Sequence, residues 1–272
     1  PYSTSMIPDW TPGRNLGVVR VTGDGAQVLA PEQIPDATGG CALPSGDGLV
    51  LGRAGRAWTL TAGGAVEGRA SLGRATFRAC SARGDSVLAV GDGGAVVRVG
   101  PDGSATEAAP GASTLRAVAW LDDGTAWAAG DGTLLRRDAT GGWARVDYGS
   151  LAPLHGLVAQ PDGTVWAVGA KGLVVRAQGR TATPVAPRPA DTDLLAGTSL
   201  NGLPLIVGSG GLALLGDGSG AFTRLDTATT DDLLAVMALP DGTAVAAGSR
   251  GTFTRLSGGA FHPVAAAGFE GE

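Results

Sequence analysis

Five arginines recur at one register of this sequence. Arg20, Arg98, Arg137, Arg176 and Arg255 each stand seven residues after a glycine. A planar guanidinium fork suits carboxylates, so a ring of such side chains would recruit an anionic segment of a protein partner. The same spacing allows a second use, in which each arginine pairs with a nearby aspartate such as Asp123, Asp162 or Asp241 and ties strands together. Of the cationic side chains only Lys171 is a lysine, which points to a G- and C-rich, bacterial genome and removes the choice of arginine over lysine as a chemical signal.

Other material for chemistry is sparse. The two histidines, His155 and His262, fall in different repeats. A zinc site needs three or four ligands, and no local cluster of His, Cys and carboxylate exists, so neither metal nor cofactor is expected. Asp122-Asp123, Asp191 with Asp193, and Asp231-Asp232 are carboxylate pairs. Glycoside hydrolysis needs two carboxylates about 5–9 Å apart. The first pair lies in a turn, where Asp suits the backbone, and the others lie in loops between repeats. Tyr2 and Tyr148 are the only tyrosines. No nucleophile elbow or phosphate loop stands in strand–turn–helix context. No catalytic residue is assigned. The sequence points to a non-enzymatic binding platform for a protein partner, with a propeller enzyme acting on a small ligand or glycan near His155 as the alternative.

These residues must be positioned by a repeat. Glycine makes up 47 of 272 residues, the charged fraction is 17 % and the hydrophobic fraction 43 %. The apolar content is too high for disorder, and glycine shows no every-third spacing of a collagen. No apolar run approaches the ~18 residues of a membrane span, and a net charge of −5 gives no reason to expect nucleic acid. Internal periodicity instead dominates. Gly13, Gly52, Gly91, Gly130, Gly169 and Gly208 follow at intervals of 39, and Gly248 after 40. Seven such repeats fill residues 1–272 as one domain.

Each repeat reads as four short strands. The second ends at the anchor glycine and is apolar without alternation, as in Trp127-Ala128-Ala129 and Trp166-Ala167-Val168. A strand with one wet face would alternate, so both faces are expected to be buried. Asp123-Gly124, Asp162-Gly163, Asn201-Gly202 and Asp241-Gly242 precede four anchors and predict tight type I′ hairpins. Trp10, Trp127 and Trp166 share a register that predicts packing between units. Seven four-stranded antiparallel units buried on both faces predict a seven-bladed β-propeller.

The run Leu115-x-x-Val118, Asp123-Gly124-Thr125-Ala126-Trp127-Ala128-Ala129-Gly130, Arg137 and Gly141-Gly142-Trp143 resembles the repeat of the photosystem II stability and assembly factors. Leu154-His155-Gly156-Leu157 through Trp166-Ala167-Val168-Gly169 and Arg176 resembles it again. The resemblance implies a seven-bladed propeller that binds protein partners and lacks an active site. A fainter resemblance, of Leu154-His155-Gly156 and Pro161-Asp162-Gly163-x-Val165-Trp166 to the blades of streptogramin lyases, implies the enzymatic alternative.

Further expectations follow. The innermost strand of the first blade should lie within residues 1–7, with residues 268–272 not taking that place. Cys41 and Cys80 each stand eleven residues before an anchor. Equivalent positions point the same way around a ring, which predicts two free thiols. The loops between repeats carry Glu32, Asp36, Asp191, Asp193, Asp226, Asp231 and Asp232, predicting an acidic face opposite the arginines. The chain is expected to be a monomer in the periplasm or at the cell surface.

Overall fold

A computed structural model describes residues 4–5, 18–22, 25–29, 34, 36–69, 71–111, 113–264 and 266–267. The described elements are short strands and five three-residue 3-10 turns. No described helix is long and apolar enough to cross a membrane. Each of repeats 2 to 7 builds one antiparallel sheet of four consecutive strands. In repeat 4 these are Leu115–Trp120, Ala126–Gly130, Thr133–Arg137 and Trp143–Arg145. The second strand ends at the anchor glycine in all six repeats and is buried along nearly its whole length. This is the two-sided burial that the missing alternation predicts.

The six innermost strands are Ala37–Ala42, Phe77–Arg83, Leu115–Trp120, Leu154–Ala159, Leu194–Leu200 and Leu233–Ala238. They pack side by side around an axis, and Thr4–Ser5 lies between the last and the first of them. Among the described residues, each of the five seams between repeats 2 and 7 is filled by apolar side chains from both neighbours. Trp127 belongs to the seam of repeats 4 and 5, and Trp166 to that of repeats 5 and 6. Both are 1 % exposed. The chain is thus an all-β propeller.

The blade count corrects the sequence reading: the structure has six blades of this kind, not seven. Repeat 1 is built otherwise. Its strand Val18–Thr22 stands 39 residues before Ala57–Leu60, the third strand of repeat 2. The inner partner of Val18–Thr22 is the two-residue strand Thr4–Ser5, paired as Thr4 with Arg20 and Ser5 with Val19. On its outer side runs Gly25–Leu29, and beyond that Ala266–Ala267, which is parallel to it. The segment supplying the inner strand is the expected one, and the other end of the chain takes the outer edge. Tight hairpins force consecutive strands to run antiparallel. A sheet that joins distant ends of the chain escapes that rule. The anchor Gly13 and Trp10 lie outside the described residues.

The anchor glycines have a steric cause. A Cβ at Gly130 would sit 1.8 Å from the carbonyl oxygen of Thr114, and one at Gly169 2.1 Å from that of Pro153. These carbonyls belong to the residue that enters the innermost strand. Each accepts the N–H just after the anchor, from Asp131 and Ala170 respectively, both at 3.0 Å. The hydrogen bond draws the two backbones together until only glycine fits.

The hairpins also depart from expectation. Asn201 and Gly202 both have positive φ, 51° and 78°, as a type I′ turn requires. At Asp123-Gly124 only the glycine does, at 87°. There the Asp123 carboxylate accepts the Thr125 N–H at 2.8 Å and its hydroxyl at 2.7 Å. Asp162 with Thr164 and Asp241 with Thr243 repeat the arrangement. The aspartate acts through its side chain, an Asx turn, rather than by adopting a left-handed backbone.

Candidate functional site

The alternation of four strands divides the propeller into two faces. One carries the first–second and third–fourth strand hairpins. The other carries the second–third turns and the connections between blades. The recurring arginines stand on the third strands, and the structure divides them. Arg98, Arg176 and Arg255 pair with the residue three before the anchor, whereas the shorter turn of repeat 4 brings Arg136 to that place and sets Arg137 one residue further, on the opposite side of its strand. The side chain of Arg137 is 7 % exposed. Its Nε and Nη2 donate to Glu107 of the preceding repeat at 2.8 and 2.6 Å, and its guanidinium lies 5.5 Å from the Trp120 ring centre. Trp143 Nε1 donates to the same carboxylate at 2.7 Å. Burial pushes the Glu107 carboxyl up, but the bonds from Arg137 and Trp143 outweigh it and hold the group below its ordinary value. Arg255 donates to Asp241 of its own hairpin at 2.6 Å.

Arg98 and Arg176 are exposed. Arg98 approaches Glu107 only to 3.9 Å. Arg176 lies 5.9 Å from the Trp166 ring centre and, among the described residues, has no carboxylate partner. Arg20 sits on Val18–Thr22 at the equivalent register, opposite Gln27. Among the described side chains that register therefore holds the exposed Arg98 and Arg176 and the partly exposed Arg136 and Arg255, while the paired Arg137 lies one residue off it.

A second cluster surrounds the axis at the loop face. The position that follows the first core residue of each innermost strand holds Thr38, Arg78, Arg116, His155, Leu195 and Leu234 in turn. A register shift at this point in every strand turns it away from the blade core. Arg116 donates through Nε and Nη2 to Asp131 at 2.8 and 3.3 Å. Arg78 is held on Asp92 in the same way, its Nη2 bond at 3.1 Å. His155 is half-buried. Burial, helped by the positive charge of Arg116, lowers its pKa against the opposing pull of Asp193 and Asp131. Sequence reasoning singled out His155 and passed over the two arginines. The signal was available, because an aspartate directly follows the anchor in repeats 3 and 4 alone, where these arginines stand.

The loop face is not the acidic surface expected. Its turns carry Arg53, Lys171 and Arg250, and its aspartates are engaged locally. Asp193 Oδ1 accepts the Lys171 N–H at 2.9 Å, and Asp232 Oδ1 accepts that of Gly210 at 2.8 Å. Asp231 pairs with Arg250 at 3.3 Å and accepts the Thr252 hydroxyl at 2.6 Å. At least one carboxylate of each of the three pairs, Asp123, Asp193 and Asp231 with Asp232, therefore braces a turn. His262 is exposed on an outer strand, opposite Arg255. Among the described residues no group of three or more His, Cys, Asp or Glu could hold a metal ion. Two clefts on this face, of about 480 and 330 Å³, are formed by the connections into repeats 7 and 6, and both include Arg224.

Cys41 and Cys80 are joined in a disulfide, with Cα atoms 5.4 Å apart, against the expectation of free thiols. Equal spacing from the anchors misled because the two hairpins differ in length. Cys41 pairs with Leu49, three residues before its anchor. The hairpin of repeat 3 is a two-residue turn between Arg83 and Ser86, so Cys80 pairs with Ala89, two residues before its anchor. A shift of one residue reverses the side a strand residue faces. The two thiols consequently face each other across the seam of repeats 2 and 3, among Leu49, Phe77 and Val87.

Comparison with known proteins supports the architecture. No protein-family model matches the chain, and no curated protein sequence matches it. Solved structures do resemble it. Virginiamycin B lyase from Staphylococcus aureus superposes with a TM-score of 0.76 at 13 % identity, covering 86 % of this chain and 85 % of that one. YCF48 from Cyanidioschyzon merolae gives 0.66 at 16 % identity, over 85 % and 86 %. A structure of YCF48 bound to D1 peptide gives 0.64 at 16 % identity, over 80 % and 77 %. At these identities the likeness establishes the propeller fold alone.

Proposed function

We propose that this propeller is a non-enzymatic binding platform that captures an anionic segment of a protein partner on its hairpin face. The observation that carries the reading is the exposure of Arg98 and Arg176 at one register of repeats 3 and 5. Arg20 belongs to the same arc by register, while Arg137 and Arg255 hold the supporting blades through Glu107 and Asp241. Solved relatives of the fold include a peptide-bound YCF48, which supports a peptide-binding role for such a scaffold. The Cys41–Cys80 bridge supports residence in an oxidising compartment, the periplasm or cell surface. The experiment is capture of partners from the source cells by the immobilised protein and by an Arg98→Ser/Arg176→Ser variant. The variant should lose the bound partner while melting at the same temperature. Equal capture by both proteins would refute the reading.

The enzymatic alternative rests on His155, a half-buried imidazole kept neutral beside the axis, which suits a general base. Turnover of a lactone or glycan abolished by His155→Gln would favour it.

A further inference from the structure

The rim around the axis on the loop face is chemically divided. Repeats 3, 4 and 5 present Arg78, Arg116 and His155, and repeats 6 and 7 present Leu195 and Leu234 at the same register. All five are partly exposed. A ring of equivalent positions would otherwise be filled by one kind of side chain, so the division into a basic arc and an apolar arc asks for a reason.

The basic arc has spare donors. Asp92 and Asp131 occupy the Nε and Nη2 atoms of the two arginines. Among the described residues neither Nη1 has a hydrogen-bond partner, and neither ring nitrogen of His155 does. The aspartates also fix the guanidinium planes, so donors are oriented before any ligand arrives, which lowers the entropic cost of binding. The charge balance selects the ligand. Each arginine is neutralised by its own aspartate, and His155 is neutral beside Asp193. A site with donors but little net charge suits a single negative charge better than the double charge of a phosphate monoester. The adjoining leucines would cover an apolar body.

We propose that this axial rim is a binding site for a small amphipathic monocarboxylate, its head on Arg78, Arg116 and His155 and its apolar part on Leu195 and Leu234. The site lies on the face opposite Arg98 and Arg176 and does not depend on partner capture there.

Isothermal titration with sodium octanoate tests it, with octan-1-ol, acetate and octyl phosphate as comparisons. Octanoate should saturate one site, and the three comparison compounds should bind at least tenfold more weakly. Arg116→Gln and, separately, Arg78→Gln should each weaken octanoate at least tenfold, and Leu234→Asn several-fold, in variants whose melting curves show that they are folded. Octanoate should also raise the midpoint of the His155 proton resonance, because a new negative charge joins Arg116, Asp131 and Asp193 around the ring. The Arg98→Ser/Arg176→Ser variant should bind octanoate as the parent does, which separates this site from the hairpin face. Absence of saturable octanoate binding, equal binding of octanol or octyl phosphate, or unchanged affinity in both arginine variants would overturn the proposal.

Discussion

Arg137 and Glu107 form an enclosed ion pair across the seam between repeats 3 and 4, with side-chain exposures of 7 % and 13 %. Trp143 adds a third hydrogen bond to the carboxylate. Breaking such a pair leaves an uncompensated charge in a poorly hydrated place, at a cost of about 3–5 kcal/mol when burial is complete. Arg137→Ser is therefore expected to lower the unfolding free energy by about 2–4 kcal/mol, measured by urea denaturation. The double variant Arg137→Met/Glu107→Leu should recover much of the loss. Arg98→Ser and Arg176→Ser, exposed positions at the same spacing from their anchors, should each change stability by less than about 0.5 kcal/mol. A uniform response at all three positions would contradict the distinction drawn here.

The cystine gives a second expectation. Cys41 and Cys80 close a loop of 39 residues. The chain-entropy account assigns such a loop about 4 kcal/mol, and measured cases span about 2–4. Thiol titration of the denatured, unreduced protein should find no free groups. Cys41→Ser/Cys80→Ser should lower stability by a few kcal/mol and loosen the seam between repeats 2 and 3 first. Hydrogen exchange would show this as faster exchange in Ala37–Ala42 and Phe77–Arg83 than in Leu154–Ala159.

Period, strand composition and turn spacing were legible in the sequence because they are local. The anchor glycines mark the second strands, and the unbroken apolar run at Trp127 to Ala129 reports burial on two faces. What failed depended on pairing. The closure of repeat 1 rests on which distant segments flank Val18–Thr22, and no periodicity encodes that choice. The disulfide turned on one residue of hairpin length, visible only as the order Gly84-Asp85 where repeat 2 has Ser45-Gly46 and repeats 4 to 7 have Asp or Asn before Gly. At the candidate sites, equal spacing from the anchors did not mean equal register. The turn Asp131-Gly132 is one residue shorter than Ala170–Gly172, so Arg137 pairs with Ala126, faces the opposite side from Arg176 and meets Glu107 of the preceding blade.

Gly130 offers a test of the close backbone approach. An alanine methyl there would sit 1.8 Å from the Thr114 carbonyl oxygen, and the obstacle is main chain, which cannot rotate aside. Overpacking typically costs about 1–3 kcal/mol, and displacement of the bond from Asp131 adds to it. Gly130→Ala should therefore destabilise by about 2 kcal/mol or more. Gly179→Ala serves as a contrast, since a Cβ there meets nothing within 4 Å. Its left-handed φ of 60° leaves only the smaller conformational cost, about 1 kcal/mol. Chemical denaturation of the two variants side by side checks the order.

Acid should act through the turn aspartates. Asp138 accepts the Thr140 hydroxyl at 2.6 Å and the N–H groups of Thr140 and Gly142, both at 2.9 Å. Led by the Thr140 hydroxyl, these bonds lower its pKa to about 2 from the ordinary 3.8. Asp123, Asp217 and Asp241, bonded alike to Thr125, Ser219 and Thr243, shift in the same direction. A group whose folded value is depressed favours the folded state while it is ionised. Its contribution is complete above the unfolded value and is lost as the pH falls through the folded one. The melting temperature should thus hold between pH 7 and about 5 as far as these groups are concerned, then fall between about pH 4 and 2. Asp138→Asn keeps one acceptor oxygen and removes the ionisation. It should lower the melting temperature at pH 7 and make the drop between pH 4 and 2 shallower, whereas an unchanged acid profile would assign that loss to other carboxylates.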